Sequence, residues 1–244
     1  MHTPYTSKEL FHFVGHNHPL DDASNFRILK KILSDACVSY PPFDADWGAV
    51  SYTINWEESL LSEKLIVPTV TCYADIPRDS LGPHIRKYGK FGLSFRKDRL
   101  IQFGARPVTY IPTRSDDVLG ISGRTLLRDV EAVFKGYNAL VTSQLPESDE
   151  PYSRGLGSAP RTRDEAIELM EAIVEKYFLS FLKPFNSELD VDDPDNFYME
   201  REWRKYGKLM FNPEDVVAVV VANGFGSLMS DAFPKYTNRI TEID

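Results

Sequence analysis

The feature that most constrains this chain is an unbroken apolar run, Val216 to Ala222 (VVAVVVA). Valines lose side-chain freedom in a helix and pack well on a pleated strand, so the run reads as a strand that ends at Gly224. It has no polar alternation, which predicts burial on both faces. It is also far shorter than the ~18 apolar residues needed to cross a bilayer as a helix. The rest of the chain must therefore cover this strand from two sides. Asn212 and Pro213 supply N-cap and N1 signals for one helical turn ahead of it, and Ser227 to Phe233 reads as a short helix behind it.

The remaining elements read as a mixture of strands and helices. Leu10 to Gly15 reads as a short strand, and Ser24 as the cap of a helix with Phe26, Leu29, Ile32 and Leu33 on one face. Further strands are expected at Ala49 to Ile54, Val67 to Cys72, Phe91 to Phe95 and Val108 to Ile111, all rich in β-branched and aromatic residues. A helix is expected from Ser122 to Lys135, ended by Gly136. Another starts at the Thr162/Glu165 capping box and runs until Pro184 halts it. The segment 143–161 is rich in proline, glycine, serine and charge and reads as a flexible surface loop or lid; 186–196 reads as an acidic connector. Regular strand-helix alternation and a glycine-rich first turn are both missing. The expected class is therefore α+β, one domain over 1–244, with a mixed or mainly antiparallel sheet and flanking helices.

Charge and cysteine usage narrow the functional classes. With 28 Lys and Arg against 36 Asp and Glu, the net charge is −8, which gives no support to general polyanion binding. Yet Arg86 to Arg99 (RKYGKFGLSFRKDR) carries six basic residues and one acid, six minus one giving +5, and could meet phosphate. Only Cys37 and Cys72 are present, with no CxxC spacing, so both are expected as reduced, core-type thiols. No secretory signal is visible at the N-terminus, and a cytoplasmic location is expected.

No P-loop, zinc-protease, nucleophile-elbow or dinucleotide motif occurs. His16 and His18, with Asp21 and Asp22, lack characteristic ligand spacing and read as a solvated loop; no metal is expected. In the segment from His84 to Gly92, two glycines allow close backbone approach. His84, Arg86, Lys87 and Lys90, with Arg96 further on, are candidates to hold an anionic group, against the plainer reading of a charged turn. Tyr198 to Arg204 (YMEREWR) is the densest stretch. If extended, it sends Glu200, Glu202 and Arg204 to one face and Met199, Arg201 and Trp203 to the other, either as an ion-pair network or as a site in which Arg204 meets substrate.

These landmarks also carry a resemblance. HFV at His12 to Val14, CYADIPR at Cys72 to Arg78, HIRKYGKFGLSFRK at His84 to Lys97, PVTYIP at Pro107 to Pro112, EREWR at Glu200 to Arg204 and FPKY at Phe233 to Tyr236 follow one another as in the AbiGi family of bacterial abortive-infection (phage-resistance) proteins, which the chain resembles over nearly its whole length. The resemblance implies a defence role as the antitoxin-like member of a two-gene system that binds a partner, either the protein encoded by the neighbouring gene or a phage-derived molecule; no cofactor is certain, and the short apolar run argues against a membrane. Nucleic acid is a second candidate partner, through the basic segment 86–99. A more remote similarity, to the His-Tyr-Glu order of ADP-ribosyltransferase folds, implies an alternative in which NAD is the cofactor. His12, Tyr88 and Glu202 would then be catalytic and Glu200 would orient the acceptor, with Tyr52 and Tyr73 as rival tyrosines.

Overall fold

A computed structural model describes residues 7–39, 52–54, 66–112, 164, 178–190, 193 and 196–244. It divides into two compact units: Met1–Val50, Thr69–Thr109 and Glu188–Asp244 form one, Ser51–Pro68 and Tyr110–Ser187 the other. The class is α+β. The strands are β1 (Glu9–Phe13), β2 (Cys37–Val38), β3 (Tyr52–Ile54), β4 (Ile66–Pro68), β5 (Val70–Ala74), β6 (Gly92–Arg96), β7 (Arg106–Pro107), β8 (Thr109–Pro112), β9 (Leu182–Phe185), β10 (Glu202–Tyr206), β11 (Leu209–Met210), β12 (Val216–Ala222) and β13 (Ile240–Ile243). The helices are α1 (Asp22–Asp35), α2 (Gly82–Tyr88), α3 (Lys97–Gln102) and, after β12, α4 (Gly226–Ala232).

The first unit is built on a seven-stranded sheet of order β13-β12-β6-β1-β5-β10-β7, antiparallel except where β13 runs parallel to β12. Its strands bury both faces, as the valine run demands. On one face Leu10, Tyr73, Leu93, Phe95, Val219 and Val221 join Leu29 and Leu33 of α1. On the other, Phe11, Phe13, Ala74 and Val220 meet Ile76 and Leu81, with Ile85 and Tyr88 of α2 packed against them. Each fully buried valine or leucine contributes about 1.5–3 kcal/mol relative to exposure. In the second unit β3 pairs with β4 and β8 with β9.

Several expectations shift for identifiable reasons. The cap of α1 is Asp21, whose carboxylate accepts from the Ser24 N–H at 2.9 Å, because the helix starts two residues ahead of Ser24. The strand expected at Val67 to Cys72 is broken into β4 and β5, which fall in different units; Pro68, lacking an N–H, closes the first. Pro184 does not halt a helix. Leu179–Phe181 is a 3-10 turn, and Pro184 sits inside β9, in a two-stranded ladder where its missing donor is tolerated. Cys37 is buried, but Cys72 is exposed, between buried Thr71 and Tyr73 in β5. The helix expected at 122–135, the body of the helix after Thr162, the loop 143–161 and residues 49–51 of the third expected strand lie outside the described residues.

The junction that seats α1 and α2 beside the sheet is close-fitting. Gly15 donates its N–H to the Tyr88 carbonyl at 2.9 Å, and a Cβ at Gly15 would lie 2.3 Å from that oxygen and 2.9 Å from Asn25 Nδ2. Backbone cannot retreat as a flexible side chain can. Gly15→Ala should therefore destabilise the protein by about 2 kcal/mol or more, read as a lower denaturant midpoint. Gly104→Ala is a control for a different effect: it has open space around it but a φ of +90°, so only backbone strain applies.

Candidate functional site

The YMEREWR stretch is not extended throughout. Phe197–Glu200 forms a 3-10 turn, Arg201 closes it in the left-handed region (φ 43°), and the strand begins only at Glu202. The sequence expectation of three charged residues on one extended face is thus corrected at Glu200. The turn sends that carboxylate to the last turn of α2, where its Oε1 accepts from Lys87 Nζ at 2.8 Å and from the Tyr88 hydroxyl at 2.5 Å. Both donors are charge-assisted partners of a single oxygen, which fixes the carboxylate firmly.

Glu202 and Arg204, two apart on β10, do share a face. They are 5% and 7% exposed, and Arg204 Nε donates to Glu202 Oε1 at 2.6 Å. Burying two charges is costly unless they pair, and here they do. Around Tyr88 the rings gather: His84 lies 4.5 Å away, His16 stacks at 5.6 Å on an exposed loop, and Phe13 meets the His84 edge at 5.1 Å.

The structure therefore brings together His84, Lys87, Tyr88 and Glu200, and it pairs Glu202 with Arg204. His12 stands apart. Phe11 and Glu202 are both register partners of Ala74 and share its face, so His12, next to Phe11, leaves the sheet on the opposite face, 5.8 Å from the Tyr73 ring. Its Nδ1–H donates to the Cys72 carbonyl at 2.9 Å. Burial lowers the His12 pKa below its ordinary value, opposed only in part by that hydrogen bond.

Of the basic segment, Lys87 pairs with Glu200, Lys97 with Asp75 at 2.6 Å, Arg99 with Asp215 at 3.0 Å and Arg96 with Asp98 at 2.5 Å. The exposed Arg96 guanidinium holds the Asp98 carboxyl below its usual range. Arg86 and Lys90 have no carboxylate partner among the described residues. Sequence reasoning passed over Asp75, Asp215 and Glu9. Asp75 accepts from the Ser7 N–H as well as Lys97, Asp215 completes a capping box with Asn212, and Glu9 takes Arg78 and the buried Ser94 hydroxyl. A lone acid inside an apolar stretch, as in CYADIPR, or at N3 after Asn-Pro, was the available signal. Among the described residues no group of three or more His, Cys, Asp or Glu side chains is placed to hold a metal ion, and no helix is long and apolar enough to cross a membrane.

Fold and site define an α+β protein whose acidic residues are locked onto cations beside a doubly covered sheet. A family model described as "Putative abortive phage resistance protein AbiGi, antitoxin" matches residues 49–239, and the chain belongs to that family. No curated protein and no solved structure matches it.

Two expected outcomes follow from this geometry. Glu202→Gln removes one charge of a buried, hydrogen-bonded pair and should cost about 1–3 kcal/mol in denaturant unfolding. His12 binds its proton less readily in the folded than in the unfolded chain. Stability should therefore be full above pH 6.5 and fall as pH drops below that value, by up to about 1.4 kcal/mol per unit, until the lowered folded-state pKa is reached. In His12→Gln that slope should flatten, as measured by unfolding at stepped pH.

Proposed function

We propose that this chain acts in the cytoplasm, in phage defence, as the antitoxin-like or regulatory member of a two-gene system, and that it works by binding the protein encoded beside it. Family membership supplies the coarse role. One observation favours binding over catalysis: His12 and Glu202 leave the sheet on opposite faces, so they do not converge on one nicotinamide ribose as an NAD-dependent transferase would need. Among the described residues the contact of Tyr88 with Glu200 favours the transferase alternative, and there Lys87 occupies the same carboxylate oxygen. The basic segment likewise supports phosphate or nucleic acid weakly, since Lys87, Arg96, Lys97 and Arg99 are already matched by acids.

Co-expressed with the neighbouring gene product, the chain should co-elute as a stable complex in size-exclusion chromatography and relieve any growth arrest that product causes. Absence of both effects sinks the reading. Purified chain incubated with cell extract should leave NAD unconsumed; measurable consumption, abolished in Tyr88→Phe, would transfer the assignment to the transferase alternative.

A further inference from the structure

We propose that the outer edge of β13 is the docking line for an extended, basic segment of the partner protein, which adds to the sheet as an eighth strand; this rests on the partner-binding reading above. Among the described residues β13 is bonded on one side only, to β12, in the register Val219↔Ile240 through Ala222↔Ile243. The Asn223 N–H donates to the Ile243 carbonyl at 3.0 Å, so Ile243 faces inward. Alternation along the strand then turns the N–H and C=O groups of Ile240 and Glu242 to the open side. Among the described residues no strand takes them.

The two edges of the sheet differ in kind. At the other end, β7 is two residues long and contains Pro107, which closes that edge against addition. β13 reads Ile-Thr-Glu-Ile, with three β-branched residues, no proline, no lysine and no break in its register. Such an edge is a template for main-chain pairing. Beside it α4 is held by Glu242, whose Oε1 accepts from the Gly224 and Gly226 N–H groups at 3.0 and 2.8 Å, and α4 carries Leu228, 54% exposed.

Charge selects the occupant. Glu242, Asp244 and Asp231 are exposed here, three acids against two cations, and one of these, Arg239, is half-buried with its guanidinium turned onto the Pro213 and Val216 carbonyls. The balance at this edge is acidic and favours a segment carrying Lys or Arg. A second copy of this chain fits less well. Antiparallel self-pairing centred on Glu242 sets Ile240 opposite Asp244, and centring on Thr241 sets Ile240 opposite Glu242, an apolar side chain against an acid either way.

The test uses the full chain co-expressed with the protein encoded beside it, with residue-resolved backbone hydrogen exchange on the purified complex and on the chain alone. In the complex the Ile240 and Glu242 amides should exchange about tenfold or more slowly than in the free chain. Ile240→Pro deletes an outward N–H at a φ of −76°, which proline accepts, and should weaken the complex about tenfold or more, whereas Ile240→Val should not. Leu228→Lys, which opposes a basic segment without touching the strand, should also weaken it and keeps the idea open to refutation if the proline variant fails to fold. A complex with unchanged exchange at 240 and 242 overturns edge docking while leaving partner binding intact. No complex at all overturns both. Protection in the chain alone, growing with concentration alongside a doubled mass, gives the edge to a second copy and overturns the proposal.

Discussion

The first unit depends on β1 lying in the middle of its sheet. This strand of five residues pairs with β6 along its whole length and touches β5 on its other side, so it joins two halves of the sheet that would otherwise have no hydrogen-bonded contact. Its side chains alternate between the two apolar clusters, Leu10 on one face and Phe11 and Phe13 on the other. Both clusters are therefore closed by the same strand, and neither is complete without it. The family match spans 49–239, so this central strand, together with α1 and β13, falls outside the matched span. Residues the family model does not reach are thus integral to the sheet.

The turn before β10 converts that sheet into a frame for charge. A strand running straight through from Tyr198 would have set Glu200 beside Glu202 on one face, two like charges close together in a low-dielectric setting. The left-handed Arg201 avoids this, at a backbone cost of about 1–2 kcal/mol for a residue with a Cβ. Its carbonyl accepts from the Asp75 N–H, and the two glutamates separate, one to α2 and one to Arg204. The strain is thus offset by two charge-assisted contacts that a regular strand would have put in competition.

How much of this was legible in the sequence depended on whether the deciding interaction was local. The valine run announced a strand covered on both faces because β-branched, uninterrupted composition is a local property, and Asn212-Pro213 announced its 3-10 turn for the same reason. Alternation read across Glu202, Trp203 and Arg204 was right because strand geometry holds there. It failed one residue earlier, where the conformation of Arg201 answers to Asp75, more than a hundred positions away. The basic segment misled in the same manner. Its +5 is a true sum over sequence, but the acids that match it, Asp75, Glu200 and Asp215, come from the end of β5 and from two 3-10 turns elsewhere in the chain. The division into units was equally hidden, because the chain passes between them at four places, 50/51, 68/69, 109/110 and 187/188, and each unit joins segments far apart in sequence.

The same pairing decides what kind of surface an acidic protein of this sort can offer. Cations paired with internal carboxylates no longer contribute to the outer field, so among the described residues the exposed acids set it locally. Long-range attraction of that kind favours basic partners and speeds their encounter, but it gives no register. Register has to come from directional bonds, and main-chain groups turned outward at a fixed 3.3–3.4 Å rise supply them independently of side-chain identity. A sheet that is covered on both faces has only its edges left for this purpose, and here one edge ends in proline while the other does not. The interior demand set by the valine run therefore reaches the surface: burying both faces leaves recognition to an edge and to the charge around it.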